Sequence, residues 1–228
     1  MDRALWQATF KNPQKSSRLM ILTIREILDL IIMVAVLGYL FKDSFITRHA
    51  HARDYDPLLE FKSRNTSGLK TAILITAPAV VFHELAHKFA ANILGYKASF
   101  FAACSSANIL DLSALFNLPC TLLVIGVISK ILNFGFLFFI PGYVSHGAVS
   151  SPLHASIIAF AGPLLNLILW LIPMYLLKNK AFMKKYHKHT NVLLLTSKIN
   201  MFLFFFNMIP IPPFDGFQIF YGLFQYLA

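Results

Sequence analysis

Long apolar blocks separated by short polar stretches dominate this sequence. The blocks lie at about 19–41, 69–94, 109–140, 153–177, 191–214 and 217–227. A helix needs about 20 apolar residues to cross the hydrocarbon core of a bilayer, and four of the blocks clearly meet that requirement. The polar stretches 42–68 and 178–189 are predicted to be solvated loops. The pattern predicts an all-α polytopic membrane protein with about five to six apolar segments.

The composition favours lipid as the main solvent of the chain. Of the 228 residues, 57% are hydrophobic and 13% are charged, whereas about 25% of the residues of a soluble domain are charged. The net charge is +10, but no basic stripe carries interleaved aromatics, so the lipid bilayer is the expected partner rather than nucleic acid. We expect a multi-pass integral protein of the cell membrane, with a single membrane-embedded domain over residues 1–228. Its oligomeric state is left open.

A cluster of ionisable residues interrupts the second apolar block. Charged groups cost free energy inside a bilayer, so they are candidates for function. The sequence HELAH at 83–87 places His83 and His87 on one helix face, where both imidazoles can bind one Zn²⁺ ion. Glu84 would then reach the water that the ion activates. Two buried core histidines beside a paired glutamate are the structural alternative.

A catalytic zinc site also needs a third protein ligand and an open coordination position. Asp111 and Asp215 are the acidic residues downstream of the motif, so zinc protease classes with a later glutamate ligand are excluded. The extended HExxHxxGxxH motif is excluded because Ala90 and Ile93 stand where it requires glycine and histidine. Asp215 is the stronger candidate, because the prolines of NMIPIPPFDG (207–216) break the helix at membrane depth. Such a break is tolerated where it is buried in protein or lines a wet cavity.

Three motifs together resemble a known family. HELAH (83–87), AGPLLN (161–166) and NMIPIPPFDG (207–216) occur in this order, which is similar to the site-2 protease family of intramembrane zinc metalloproteases. The resemblance covers a core of residues 69–216. It implies hydrolysis of peptide bonds within or near the transmembrane segments of single-pass membrane proteins, in regulatory proteolysis.

The resemblance also implies roles for individual residues. In that family the two histidines and the aspartate before glycine bind one zinc ion, which assigns the ion to His83, His87 and Asp215. The same comparison makes Glu84 the general base. Asn166 and Asn207 match family asparagines that order the unwound segment or polarise the substrate carbonyl, and a structural role for them is equally compatible with the sequence.

Two other classes of function remain as alternatives. A catalytically inactive membrane scaffold of the same family would keep the apolar blocks but need not keep all four residues of the motif set. A zinc or proton transporter would show several ionisable residues along a path, or two repeated halves, and the sequence contains neither.

Residues that bind the same metal ion must lie at a similar depth in the membrane. At 1.5 Å per residue, His83 lies roughly 20 Å below Leu69 and Asn207 lies about 24 Å along its own block. These depths agree if both helices enter from the same face, so residues 95–152 cross zero or two times. Polar residues and a proline interrupt the block 109–140, so we expect a re-entrant or short β-strand element near 109–144, with strand over 134–144. An unwound substrate is expected to pair with this edge.

Other polar residues have less defined expectations. Lys88 snorkels to the interface, pairs with Asp111 or a headgroup, or tunes the site. The charged residues at the start of the first block are predicted to snorkel or to pair with one another: Arg25, Glu26 and Asp29. Cys104 and Cys120 are predicted to be packing residues. His146 and His154 could line the cleft, but surface or interface positions are favoured for them.

Overall fold

The computed structural model describes residues 22–42, 57–105, 118–132 and 142–228. Within these ranges the chain is mostly helical and carries one two-stranded sheet. The helices are α1 (Ile24–Phe41), α2 (Pro57–Ile93), α3 (Leu118–Ile131), α4 (Pro152–Lys178), α5 (Lys180–Tyr186), α6 (Thr190–Asn207) and α7 (Asp215–Leu227), and the strands are β1 (Ala98–Ala102) and β2 (Gly142–His146).

Two of the described helices are long and apolar enough to cross a membrane. They are Gly68–Ile93, which is most of α2, and Pro152–Lys178, which is α4. The apolar part of α3, Pro119–Ile131, is shorter. Helix α1 begins with a capping box in which Thr23 and Glu26 bond each other's backbone amides.

The predicted solvated loops are partly helical, which corrects the sequence interpretation. Helix α2 already begins at Pro57, and 178–189 contains both α5 and a short 3₁₀ helix, His187–His189. Helix α5 has no buried residue, so it forms without an apolar stripe and its polar sequence reads as a loop. The Asn179 side chain accepts a hydrogen bond from the Phe182 amide and caps its first turn.

The short strand expected near 109–144 is present as β2. It pairs antiparallel with β1, with Phe100 opposite Val144, and β1 was not predicted. Gly95, at a φ of +87°, ends α2 and turns the chain toward β1, a conformation that glycine adopts without strain. Most of the predicted strand 134–144 lies outside the described residues, as do 106–117.

Helix α4 is the central element of the packing. It contacts α2, α6 and α7, while α1 packs against α2 and β1. One core cluster joins α1, α2 and β1 through Met33, Leu37, Ala77, Val80 and Phe100. The arrangement brings the HELAH face of α2 against α4 and next to the start of α7.

The two cysteines form a disulfide, so their prediction as packing residues was wrong. Cys104 follows β1 and Cys120 lies in the first turn of α3. They are separated by 16 positions, and only the fold brings them together. The bridge joins the end of the sheet to α3.

Candidate metal centre

Three side chains predicted as ligands meet at one point. His83 Nε2 lies 3.1 Å from Asp215 Oδ2, and His87 Nε2 lies 3.4 Å from the same oxygen. The two Nε2 atoms are 3.1 Å apart. Helix α2 supplies both imidazoles from successive turns, and Asp215 is the first residue of α7. The structure therefore joins residues that are 132 positions apart in the chain.

The other nitrogen of each imidazole contacts an oxygen acceptor. His83 Nδ1 donates to Asn166 Oδ1 at 2.5 Å, and His87 Nδ1 donates to the Ile158 carbonyl at 2.7 Å. Since these oxygens only accept, the protons reside on Nδ1 and the Nε2 lone pairs are free to bind a ligand. Two nitrogen lone pairs and a carboxylate oxygen thus converge, an arrangement that a cation would stabilise.

The spacing of these atoms fits a tetrahedral zinc site. Ligand atoms at 2.0–2.1 Å from a tetrahedral ion are about 3.3 Å from one another, and the three separations here are 3.1, 3.1 and 3.4 Å. Two imidazoles and one carboxylate leave the fourth position open, as catalytic zinc sites require. The Nδ1 hydrogen bonds to an amide and a carbonyl are the contacts that orient metal-binding histidines.

A glycine of α4 makes room for the two imidazole rings. A Cβ atom at Gly162 would lie 2.7 Å from both Cε1 and Nε2 of His83 and would also overlap the His87 ring. Gly162 belongs to the AGPLLN motif. This motif therefore has two functions in the site: its glycine lets α4 approach α2 closely, and its last residue, Asn166, contacts His83 through the side-chain amide.

The proline-containing segment between α6 and α7 determines where Asp215 lies. Pro210, Pro212 and Pro213 prevent a continuous helix from α6 into α7, and residues 208–214 instead form short turns. Gly216 packs against the backbone of this segment, since a Cβ atom there would overlap the Met208 carbonyl. The segment therefore starts α7 with Asp215 directed at the two histidines.

Asn166 is held in the core by hydrogen bonds to three partners. It is fully buried, and its Nδ2 donates to the Ala79 carbonyl at 3.2 Å and to Asn200 Oδ1 at 2.8 Å, while its Oδ1 accepts from His83. Asn200 in turn donates to the Thr196 carbonyl. Asn166 thus orients His83, and the hydrogen bonds described for it do not include the segment 208–214. Asn200 was missed, although a buried asparagine within an apolar block was a usable signal.

A cavity of about 710 Å³ adjoins the three ligands. Glu84, 9% exposed, and Asn207 both line it. The Thr76 hydroxyl lines it too and has no hydrogen-bond partner among the described residues. Its walls come from α1, α2, α3, α4, α6, α7 and β2, including Leu37, Val80, Val144, Ile158, Phe202 and Leu203. The cavity places a second carboxylate, that of Glu84, beside the candidate metal site.

The chain matches no protein-family model, no curated protein and no solved structure. The functional interpretation therefore depends on the motifs and geometry of the chain itself.

The remaining polar residues have defined partners in the structure. Lys88 Nζ donates to Glu26 Oε1 at 2.5 Å, whereas Asp111 lies outside the described residues. Glu26 and Asp29 are buried rather than snorkelling: Asp29 accepts from Ser105 at 2.8 Å. His146 lines the cavity, which is the less favoured of the two positions expected for it.

His154 lies next to Tyr96 at the start of α4. Its Nδ1 is 3.0 Å from the Tyr96 hydroxyl, which is also 3.3 Å from Ser150 Oγ. These contacts tie the beginning of α4 to the turn after α2. The contacts described for His154 do not include the metal centre.

Proposed function

We propose that this chain is a zinc-dependent endopeptidase of the site-2 protease type, which cleaves single-pass membrane proteins within or near their transmembrane segments. The observation that carries the proposal is the convergence of two imidazole nitrogens and one carboxylate oxygen at 3.1 and 3.4 Å. His83, His87 and Asp215 would hold one ion and leave a fourth position for water.

The residues around the ligands fit peptide hydrolysis. When bound, Zn²⁺ supplies Lewis acidity that polarises a water molecule and the scissile carbonyl. Glu84 takes a proton from that water while the water oxygen bonds to the carbonyl carbon. Glu84 then delivers the proton to the amide nitrogen as the C–N bond breaks. Asn207 is proposed to donate a hydrogen bond to the carbonyl oxygen, where negative charge develops.

The proposal includes a membrane location with five to six apolar segments. Helices α2 and α4 have the length and composition of membrane spans. Several of their large apolar side chains face outward, for example Leu74, which is 71% exposed, and Ile172, which is 53% exposed. In a bilayer these side chains would contact lipid instead of water.

Among the described residues the sheet has two strands, which leaves the outer edge of β2 for an unwound substrate. The Phe100 and Ala102 amides of β1 donate hydrogen bonds to Glu26 and Asp29. The backbone groups of these two residues therefore point away from β2. Their antiparallel partners, Val144 and Gly142, then direct their backbone groups away from β1. Val144 lines the cavity beside the metal centre, so a substrate strand added at this edge would lie next to Glu84.

Cleavage and zinc transport can be separated in one proteoliposome experiment. The probe is a pair of single-pass peptides, one with a uniform leucine span and one with Asn-Gly within the span, where unwinding costs less free energy. We expect fragments from the Asn-Gly peptide, with a yield about 10²–10⁴-fold lower for Glu84→Gln. Zinc flux without cleavage would instead support a transporter. The absence of both cleavage and zinc flux would support an inactive scaffold.

A crosslinking experiment tests the substrate edge. Tyr143 on β2 and Tyr175 on α4 are both exposed, at 40% and 69%, but only Tyr143 lines the cavity. A photocrosslinker attached to Tyr143→Cys is expected to capture the Asn-Gly peptide, while the matched Tyr175→Cys is not. Equal capture at both positions would contradict pairing at β2.

A further inference from the structure

A buried ion pair lies one residue away from the metal centre. Lys88 follows His87 in α2, and its ammonium group bonds to Glu26 of α1 at 2.5 Å. Lys88 and Glu26 are only 2% and 3% exposed. The mechanism proposed above uses neither residue, so their burial needs another explanation.

The Glu26 carboxylate connects three elements at one point. Its Oε1 accepts from Lys88 on α2 and, at 2.8 Å, from the Phe100 amide of β1. Its Oε2 accepts from the amide and the hydroxyl of Thr23 at the start of α1, at 2.8 and 3.0 Å. One oxygen atom therefore ties the metal-binding helix to the sheet.

Asp29 extends this connection along the strand. One turn after Glu26, it accepts from the Ala102 amide at 3.4 Å and from Ser105. The two carboxylates thus bond alternate amides of β1, on the edge opposite β2. The sheet is held from this side by α1, and its other edge adjoins the cavity.

Burial of charge is an inefficient way to stabilise a fold. An apolar pair of similar volume is often at least as stable as a buried ion pair, because two charges must be desolvated. A buried carboxylate whose oxygens are all hydrogen-bonded can, however, specify one arrangement of its partners. The Glu26 carboxylate meets that condition, since each of its oxygens has two donors.

We propose that Glu26 and Lys88 are positioning residues that fix strand β1, and through it the β2 edge, relative to the metal-binding helix. The function of that edge in binding substrate rests on the proposed protease activity, but the positioning itself does not. A loosened edge would have to be ordered by each substrate, which weakens binding before any chemistry occurs.

Two uncharged double variants separate positioning from charge. Glu26→Gln with Lys88→Gln keeps an oxygen that accepts from the Phe100 amide and a donor at position 88. Glu26→Met with Lys88→Met has a similar side-chain volume and the same net charge as the glutamine variant, but its side chains form none of these hydrogen bonds. If the methionine variant does not fold, Glu26→Gln with Lys88→Met keeps the Phe100 bond and removes only the bond to α2. Lys70→Gln, at an exposed lysine of α2, is the control for removing a charge.

The first measurement needs no substrate. Spin labels at Leu74→Cys on α2 and Tyr143→Cys on β2 report the distance between helix and sheet. We expect a broadened distance distribution in the methionine variant, or in its replacement, and an unchanged one in the glutamine variant and in Lys70→Gln. Equal distributions in all variants would overturn the proposal, even if cleavage is observed.

The second measurement is cleavage of the Asn-Gly peptide. The methionine variant should raise KM by at least about tenfold, the factor expected for a single lost hydrogen bond to a charged group, while kcat and bound zinc change little. A higher KM with an unchanged kcat marks an interaction that is made equally in the ground state and the transition state. Loss of kcat with KM unchanged would contradict positioning of the edge. If the unmodified chain cleaves no peptide, the proposed function fails and the label distances still decide the role of the pair.

Discussion

The protonation of each imidazole is decided by a single oxygen acceptor. Asn166 Oδ1 and the Ile158 carbonyl hold the Nδ1 protons of His83 and His87, and this leaves both Nε2 atoms available as ligands. The two acceptors differ in how they can be altered. A side-chain amide can be removed by substitution, whereas a backbone carbonyl of α4 cannot.

Removal of the Asn166 amide should weaken metal binding. We expect Asn166→Ala to lower zinc affinity by roughly 10–100-fold, the usual cost of losing a residue that orients a ligand. Asn200→Ala should have a smaller effect, because Asn200 acts on His83 only through Asn166. Competition with a chelating dye measures both affinities. Asn179→Ala, at the exposed cap of α5, is the control, and equal affinity in all three would exclude the orienting role.

Glu84 and Asp215 should separate catalysis from metal binding. Glu84→Gln is expected to keep one zinc per chain and to lose cleavage by about 10²–10⁴-fold, the contribution of a general base. Asp215→Ala should instead lose bound zinc, since it removes a ligand. Metal analysis and fragment yield are measured on the same samples. Gln225→Ala, exposed on the same helix as Asp215, should change neither, and an active Glu84→Gln would rule out the general-base role.

At the level of the secondary-structure elements, close contacts between helices fix the relative positions of the metal ligands. Helix α4 approaches α2 at Gly162 and approaches α7 at Gly222, where a Cβ atom would meet Ser156 Oγ and the Pro152 carbonyl. Both glycines allow backbones to approach closely, but only Gly162 touches the imidazoles. The two sites therefore offer a matched pair of substitutions.

The Gly162→Ala and Gly222→Ala variants should differ in metal binding. Both add a methyl group to a tight contact, and we expect each to lose about 1–3 kcal/mol of unfolding free energy through overpacking. Only Gly162→Ala should also reduce zinc affinity, because the added methyl displaces His83 and His87. Thermal denaturation and dye competition provide the two readouts. A similar loss of zinc affinity in both variants would show a general rather than a local effect.

Metal binding should stabilise the whole molecule, because the ligands come from α2 and α7 and are oriented by α4. At free zinc of 1,000 times Kd, the expected gain is about 4 kcal/mol. For a chain of this length the midpoint of thermal unfolding should rise by roughly 8–16 °C. Circular dichroism of the chain with zinc and with a chelator measures the difference. Asp215→Ala should show no such shift, and equal midpoints for the unmodified chain would contradict coupling between the site and the fold.

Much of the candidate site follows from local sequence rules. The spacing of His83 and His87 places them on one face of any helix, and the prolines before Asp215 require a break in any helix. The role of Asn166 does not follow in this way, because its contact with His83 spans 83 positions. Strand β1 was missed because five residues offer too short a pattern, and its edge is completed by Glu26 and Asp29 of another element.

The sequence by itself determined the helical, apolar character of this chain and the residues that could bind a metal, because helix periodicity, proline geometry and burial of apolar side chains act over short distances. Only the tertiary structure decided which partners orient His83 and His87, that Lys88 pairs with Glu26, and that Cys104 bonds to Cys120. These contacts depend on how distant elements pack, and many partners of equal chemistry were available along the chain. Packing selects among them through shape and through the satisfaction of every buried polar group.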